Sequence, residues 1–107
     1  MRVEFDDNGA KVSISGEFTF GDHAAFKSMA DRVFEGRGWP IVIDLAKLEF
    51  IDSAGLGMLL IVRDEAEKAR RSLILRGPCG QVKRMLFLAS PSSTIWTPPD
   101  FIIHSRR

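Results

Sequence analysis

The residues with the most chemistry at close spacing are Asp52 and Ser53, in the segment Phe50-Ile51-Asp52-Ser53-Ala54-Gly55-Leu56-Gly57. A carboxylate and a hydroxyl stand side by side after an apolar run and at the start of a helix-period stretch. Either can accept a hydrogen bond from a free backbone N–H of a first helical turn, so a helix cap is the plain role. Gly55 and Gly57 follow closely, but the third glycine of a dinucleotide fingerprint and the Gly-Lys-Ser/Thr of a phosphate loop are absent. Gly55 reads instead as a point where a helix approaches the sheet closely. His23 and His104 lie far apart and Cys79 is the single cysteine, so no metal-ligand spacing exists. No activating base neighbours Cys79, which reads as a small buried or loop thiol. No catalytic pair emerges, and the expectation is a chain that is not an enzyme and carries no cofactor.

The elements that must position Asp52 and Ser53 follow from two alternating periods. Residues 2–6 (RVEFD) and 11–16 (KVSISG) alternate apolar with polar, as half-buried strands do. Asp7-Asn8-Gly9 between them is a hairpin turn signal. Asp22 is placed to cap a first helix, with Phe26, Met29, Ala30 and Val33 as its apolar stripe and Gly36 and Gly38 as its stop. After Pro40, residues 41–45 (IVIDL) make a covered strand. A second helix runs from Asp52-Ser53 to about Arg71, with Gly55, Met58, Leu59, Val62, Ala66 and Ala69 on its core face. Asp64 with Lys68, and Glu67 with Arg71, are acid-before-base pairs on its solvated side. Residues 73–75 form a strand, and Gly77-Pro78 turns the chain. Val82, Met85, Leu86 and Ala89 mark a third helix; residues 90–94 form a loop and 101–103 a short last strand. The order β-β-α-β-α-β-α-(β) implies an α/β fold with a mixed, mostly parallel sheet of four to five strands and packed helices.

Leu56, Leu60 and Ile61 fall off that core stripe. Leu56 and Leu60 adjoin each other beside Ser53, rimmed by Arg63, Asp64 and Glu67. An apolar patch with a charged rim is the mark of a partner surface.

Bulk properties narrow the function classes. A chain of 107 residues suits one domain, here residues 1–107. Hydrophobic content of 45% and charged content of 27% are those of a globular chain. A net charge of +1 argues against a dedicated nucleic-acid binder, even with Lys68-Ala69-Arg70-Arg71, Lys83-Arg84 and Arg106-Arg107 present. One cysteine precludes an internal disulfide. No signal peptide or membrane span is visible, so a soluble cytoplasmic protein is expected.

Four stretches together resemble the STAS domain family, the single-domain anti-sigma factor antagonists of bacterial partner-switching systems. They are residues 12–17 (VSISGE) with the helix that follows, 41–45 (IVIDL), 50–57 (FIDSAGLG) and 82–86 (VKRML), covering about residues 10–90. The resemblance implies reversible phosphorylation of the hydroxyl residue after the aspartate, Ser53. It also implies that the dephosphorylated domain binds a histidine-kinase-like ATPase, at once its serine kinase and an anti-sigma factor, which then releases its other client. A PP2C-type phosphatase resets the cycle. Asp52, Gly55 and Gly57 would support the switch, and Leu56, Leu60, Arg63 and Asp64 would form the partner interface. Two departures stand out: Ala54 replaces a frequent second hydroxyl, and residues 90–107 diverge from the family's continuation. Stand-alone members also resemble the cytoplasmic accessory subunits of lipid-transporting ABC systems, where no phosphorylation is needed.

Overall fold

The computed structural model describes residues 1–5, 11–35, 41–89, 94–97 and 100–103. Strand β1 (Arg2–Phe5) and β2 (Lys11–Phe18) pair antiparallel, with Val3 opposite Ile14. The residues of the expected hairpin turn, like Gly36, Gly38, Pro40, His104 and the Arg106-Arg107 pair, lie outside the described residues. A 3-10 turn (Phe20–Asp22) leads into helix α1 (His23–Glu35), which buries Phe26, Met29 and Val33. Strand β3 (Ile41–Ile51) feeds helix α2 (Ser53–Lys68), and strand β4 (Leu73–Arg76) feeds helix α3 (Gly80–Ala89). Strands β5 (Thr94–Thr97) and β6 (Asp100–Ile103) close the chain.

The sheet has six strands in the order β1-β2-β3-β4-β6-β5. Its centre, β2-β3-β4, is parallel, as right-handed helical crossovers require; both edges are antiparallel. The fold is the mixed α/β architecture expected. The sheet exceeds the expected four to five strands because the tail adds a hairpin: β6 contains the expected strand, whereas Thr94, assigned to a loop, opens β5.

Strand β3 is eleven residues long, more than twice the covered run that marks it in the sequence. The reason lies in its apolar spacing. Leu45, Leu48 and Ile51 recur every third residue, which a period of two would send to both faces. The register against β2 shifts between Ser13 and Ser15 and again between Gly16 and Glu17, each time with one extra residue on β3. These bulges return all three side chains to the interior, where each is at most 2% exposed. Gly16 takes the positive φ of 84° beside the second bulge.

One core cluster joins Val12, Ile14 and Phe18 of β2, Ile43 and Leu45 of β3 and Leu73 and Leu75 of β4 with buried residues of all three helices. On α2 the expected core face holds for Gly55, Met58, Leu59, Val62 and Ala66. Ala69 is exposed instead, because the helix stops before it. Arg70 adopts a left-handed φ of 60°, Arg70 N–H bonds the Glu67 carbonyl, and Arg71 N–H bonds the Ala66 carbonyl at 2.9 Å. This Schellman closure, and not Arg71, ends the helix. The ion pairs also differ in detail: Lys68 reaches Glu65 at 3.8 Å, and Asp64 takes Arg63 at 2.8 Å.

Candidate functional site

The C-terminal ends of β2 and β3 meet the N-terminus of α2, and Asp52 joins them. It is the N-cap of α2, in extended conformation, with Oδ1 accepting from Gly55 N–H at 2.7 Å. Its Oδ2 accepts from Phe20 N–H at 3.1 Å, across 32 residues. Both carboxylate oxygens are thus engaged by backbone donors, which ties the 3-10 turn to the helix start. Asp52 N–H in turn bonds the Phe18 carbonyl at 3.2 Å. The expected capping role is therefore filled, and it includes a second clamp that sequence spacing does not show.

Ser53, the first residue of α2, is exposed. It sits where unpaired N–H groups and the helix dipole favour an anion. Gly55 is buried against β2. A Cβ there would stand 2.5 Å from the Phe18 carbonyl oxygen and 3.0 Å from Ile51 Cγ1. Only glycine lets the helix approach this closely. A Cβ at Gly57 would meet nothing within 4 Å, so its surroundings are open.

Ser53, Leu56, Gly57, Leu60, Arg63 and Asp64 share one face of α2, within about 120° at roughly 100° per residue. One edge of this face, at Leu56 and Arg63, adjoins the core stripe. Leu56 is half-buried and packs against the core cluster, and Leu60 is also half-buried. Arg63 Nε and Nη2 both donate to Asp64 Oδ1, at 3.1 and 2.8 Å.

Two exposed apolar residues lie on the segments that lead to Asp52 or are bonded to it. Phe20 is 77% exposed and Phe50 40% exposed. Phe20 is bonded through its backbone to Asp52, and Phe50 lies two residues before it. Sequence periodicity had no means to single them out: Phe20 sits in a turn, and Phe50 lies beyond the apolar run that marks the strand.

Asp22 does not cap α1 directly. It ends the 3-10 turn, and its Oδ2 accepts from Thr19 N–H at 2.9 Å. That backbone bond, chiefly, holds its carboxyl below the usual aspartate value. The turn carrying Phe20 is thus fastened at both ends, by Asp22 and by Asp52.

A third clamp comes from α3. Gln81 Oε1 accepts from Ile51 N–H at 3.0 Å, and Gln81 Nε2 donates to the Ile51 carbonyl at 2.7 Å.

Elsewhere, a groove between α1 and α2 is lined by Phe26, Phe34, Met58, Ile61 and Val62, with Lys27 and Asp31 paired at its rim at 3.5 Å. Ser53 does not line it. Cys79 is exposed, its thiol 3.9 Å from the Ala46 carbonyl. No group of three or more His, Cys, Asp or Glu could hold a metal ion among the described residues. Among them, too, no helix is long and apolar enough to cross a membrane.

Three likenesses to known proteins accompany this geometry. Residues 1–90 match the family model described as Mlab, STAS domain. A STAS-domain containing protein of Pseudomonas aeruginosa (strain UCBPP-PA14) is 31% identical over 86 residues, covering 79% of this chain and 83% of that protein. The solved structure of the anti-sigma factor antagonist SpoIIAA in its unphosphorylated form superimposes with a TM-score of 0.63 at 23% identity. That match covers 84% of this chain and 83% of the other.

Proposed function

The chain belongs to the STAS domain family, with an anti-sigma factor antagonist-like fold, and from that premise we propose that it is a phosphorylation-controlled protein-binding switch. In its dephosphorylated form it binds a histidine-kinase-like anti-sigma factor that is also its serine kinase, so that the kinase releases its other client. A PP2C-type phosphatase removes the phosphate. The modified residue is Ser53, and the antagonist itself performs no chemistry. The observation that carries this reading is an exposed hydroxyl on the first residue of a helix whose capping carboxylate is already committed to two backbone donors.

The physics of the switch follows from position. A phosphoserine brings about −1.5 to −2 charges and three acceptor oxygens. At a helix N-terminus the fold favours such a group by about 0.3–1 kcal/mol, so modification leaves the domain intact. The partner bears the cost. In this reading Phe20, Phe50 and the α2 face of Leu56, Leu60, Arg63 and Asp64 form the docking surface together with Ser53. Seating a partner there must strip water from a dianion, at several kcal/mol without a compensating charge. At about 1.4 kcal/mol per decade, a loss of about 10²–10³ in affinity is the expected scale.

The test is incubation of the purified protein with MgATP and an extract of its source cells, followed by mass spectrometry. Phosphate on Ser53, absent from Ser53→Ala, supports the switch. An unmodified protein that co-purifies with an ABC ATPase replaces it with the lipid-transport role.

A further inference from the structure

We propose that Gln81 is a positioning residue for Ser53. Its side-chain amide fixes the peptide from which the phosphoacceptor helix departs. This rests on the reading of Ser53 as the modified residue, and nothing in the family resemblance assigns Gln81 a part.

The argument begins at the edge of β3. Strand β4 pairs with β3 only from Ile41 to Asp44. Strand β2 continues alongside on the other side as far as Ile51. In a parallel ladder, one residue turns both its N–H and its C=O to the same neighbour. Ile51 turns both away from β2, and its side chain is fully buried. Left alone, the two groups would be buried without hydrogen-bond partners, which is costly. Gln81 supplies what a fourth strand would supply, an acceptor at 3.0 Å and a donor at 2.7 Å. Its orientation is unique, because Ile51 N–H only donates and Ile51 C=O only accepts.

The Ile51 carbonyl belongs to the peptide whose N–H is that of Asp52. This single plane is gripped from both sides, by Gln81 on the carbonyl and by Phe18 on the N–H at 3.2 Å. The next residue is the N-cap, and the one after it is Ser53. Rotation of the plane would swing Asp52 off Gly55 and Phe20 and redirect the serine hydroxyl. Gln81 therefore couples α3 to the direction in which that hydroxyl points. A shorter side chain could not span the gap, and a carboxylate could fill only half of it.

The experiment compares wild type, Gln81→Ala and Gln81→Glu by amide hydrogen exchange and by nitrogen–proton NMR across pH. Phosphate incorporation from MgATP and source-cell extract is measured alongside. Gln81→Ala is expected to speed exchange at Ile51 and Gly55 about tenfold or more, with Val12 and Ile43 unchanged. It should also slow saturating phosphate incorporation about tenfold with little change in half-saturation. The carboxylate of Gln81→Glu faces the Ile51 carbonyl at neutral pH. Once protonated it can donate there, so the Ser53 amide signal should move toward its wild-type position as pH falls. A loss of stability alone would not show that return, and it keeps the test usable where Gln81→Ala folds poorly. Unaltered exchange at Ile51 and Gly55, or a Ser53 signal that ignores the protonation of Gln81→Glu, overturns the proposal. Wild-type protein that takes no phosphate overturns the switch instead, and leaves Gln81's hold on Ser53 to be decided by exchange and pH.

Discussion

Gly55 and Gly57 differ in what an added methyl group would meet, and this separates two roles that look alike in the sequence. At Gly55 the methyl runs into a backbone carbonyl, which cannot swing aside as a flexible side chain could. Gly55→Ala should therefore destabilise by about 1–3 kcal/mol in chemical denaturation, the usual cost of overpacking. At Gly57 the space is open, and an interior helical glycine costs about 0.5–1 kcal/mol relative to alanine. Gly57→Ala should leave stability unchanged or raise it by that amount. Any loss of partner binding in Gly57→Ala would then report contact at the surface. The close approach at Gly55 was legible from its place at a strand-to-helix junction. The openness at Gly57 was legible only in part, because the period places it off the core face but does not say whether another element covers that side. Gln81 was invisible for a related reason: its partner is a backbone group 30 residues away.

At the scale of elements, three side chains hold the start of α2 in place. Asp52 joins it to the turn, Gln81 joins it to α3, and Asp22 closes the turn on itself. Asp52→Ala removes two bonds at once and should cost about 1–2 kcal/mol, near the upper range for an N-cap. Its Phe20 and Gly55 amide signals should move together. Asp22 gives a pH dependence of definite sign. Its carboxyl is held below the ordinary value, chiefly by Thr19 N–H. A depressed carboxylate contributes stability at neutral pH, and that contribution disappears as pH falls through the folded-state pKa. The Thr19 amide signal should titrate in that acidic window in wild type and be flat in Asp22→Asn. The helices were legible from their apolar periods. Where α2 stops was not, since Arg70 takes a left-handed conformation that no glycine announces. The length of β3 was hidden too, because bulges turn a three-residue spacing into one buried face.

Over the whole molecule, the sequence order of strands and helices was enough to specify a parallel centre with an antiparallel entry hairpin. The tail was less legible. Residues 94–97 and 100–103 add a hairpin to the sheet beyond β4; the short last strand at 101–103 was expected, whereas its partner β5, opening at Thr94, was not. That edge lies across the sheet order from β1 and β2, so the tail builds the sheet outward. The docking surface proposed above draws on several elements: Phe20 from the turn, Phe50 from β3, and the outer face of α2. Phe20→Ala should weaken partner binding about tenfold or more, as for an aromatic anchor, with stability almost unchanged because the ring is 77% exposed. The most direct measurement is titration calorimetry of the histidine-kinase-like partner against the protein before and after stoichiometric phosphorylation of Ser53, with an NMR spectrum of each form. An affinity about 10²–10³-fold lower is expected for the phosphorylated form, with spectral changes confined to the surroundings of Ser53. Equal affinity of the two forms, or a spectrum altered throughout the core, would contradict the proposed switch.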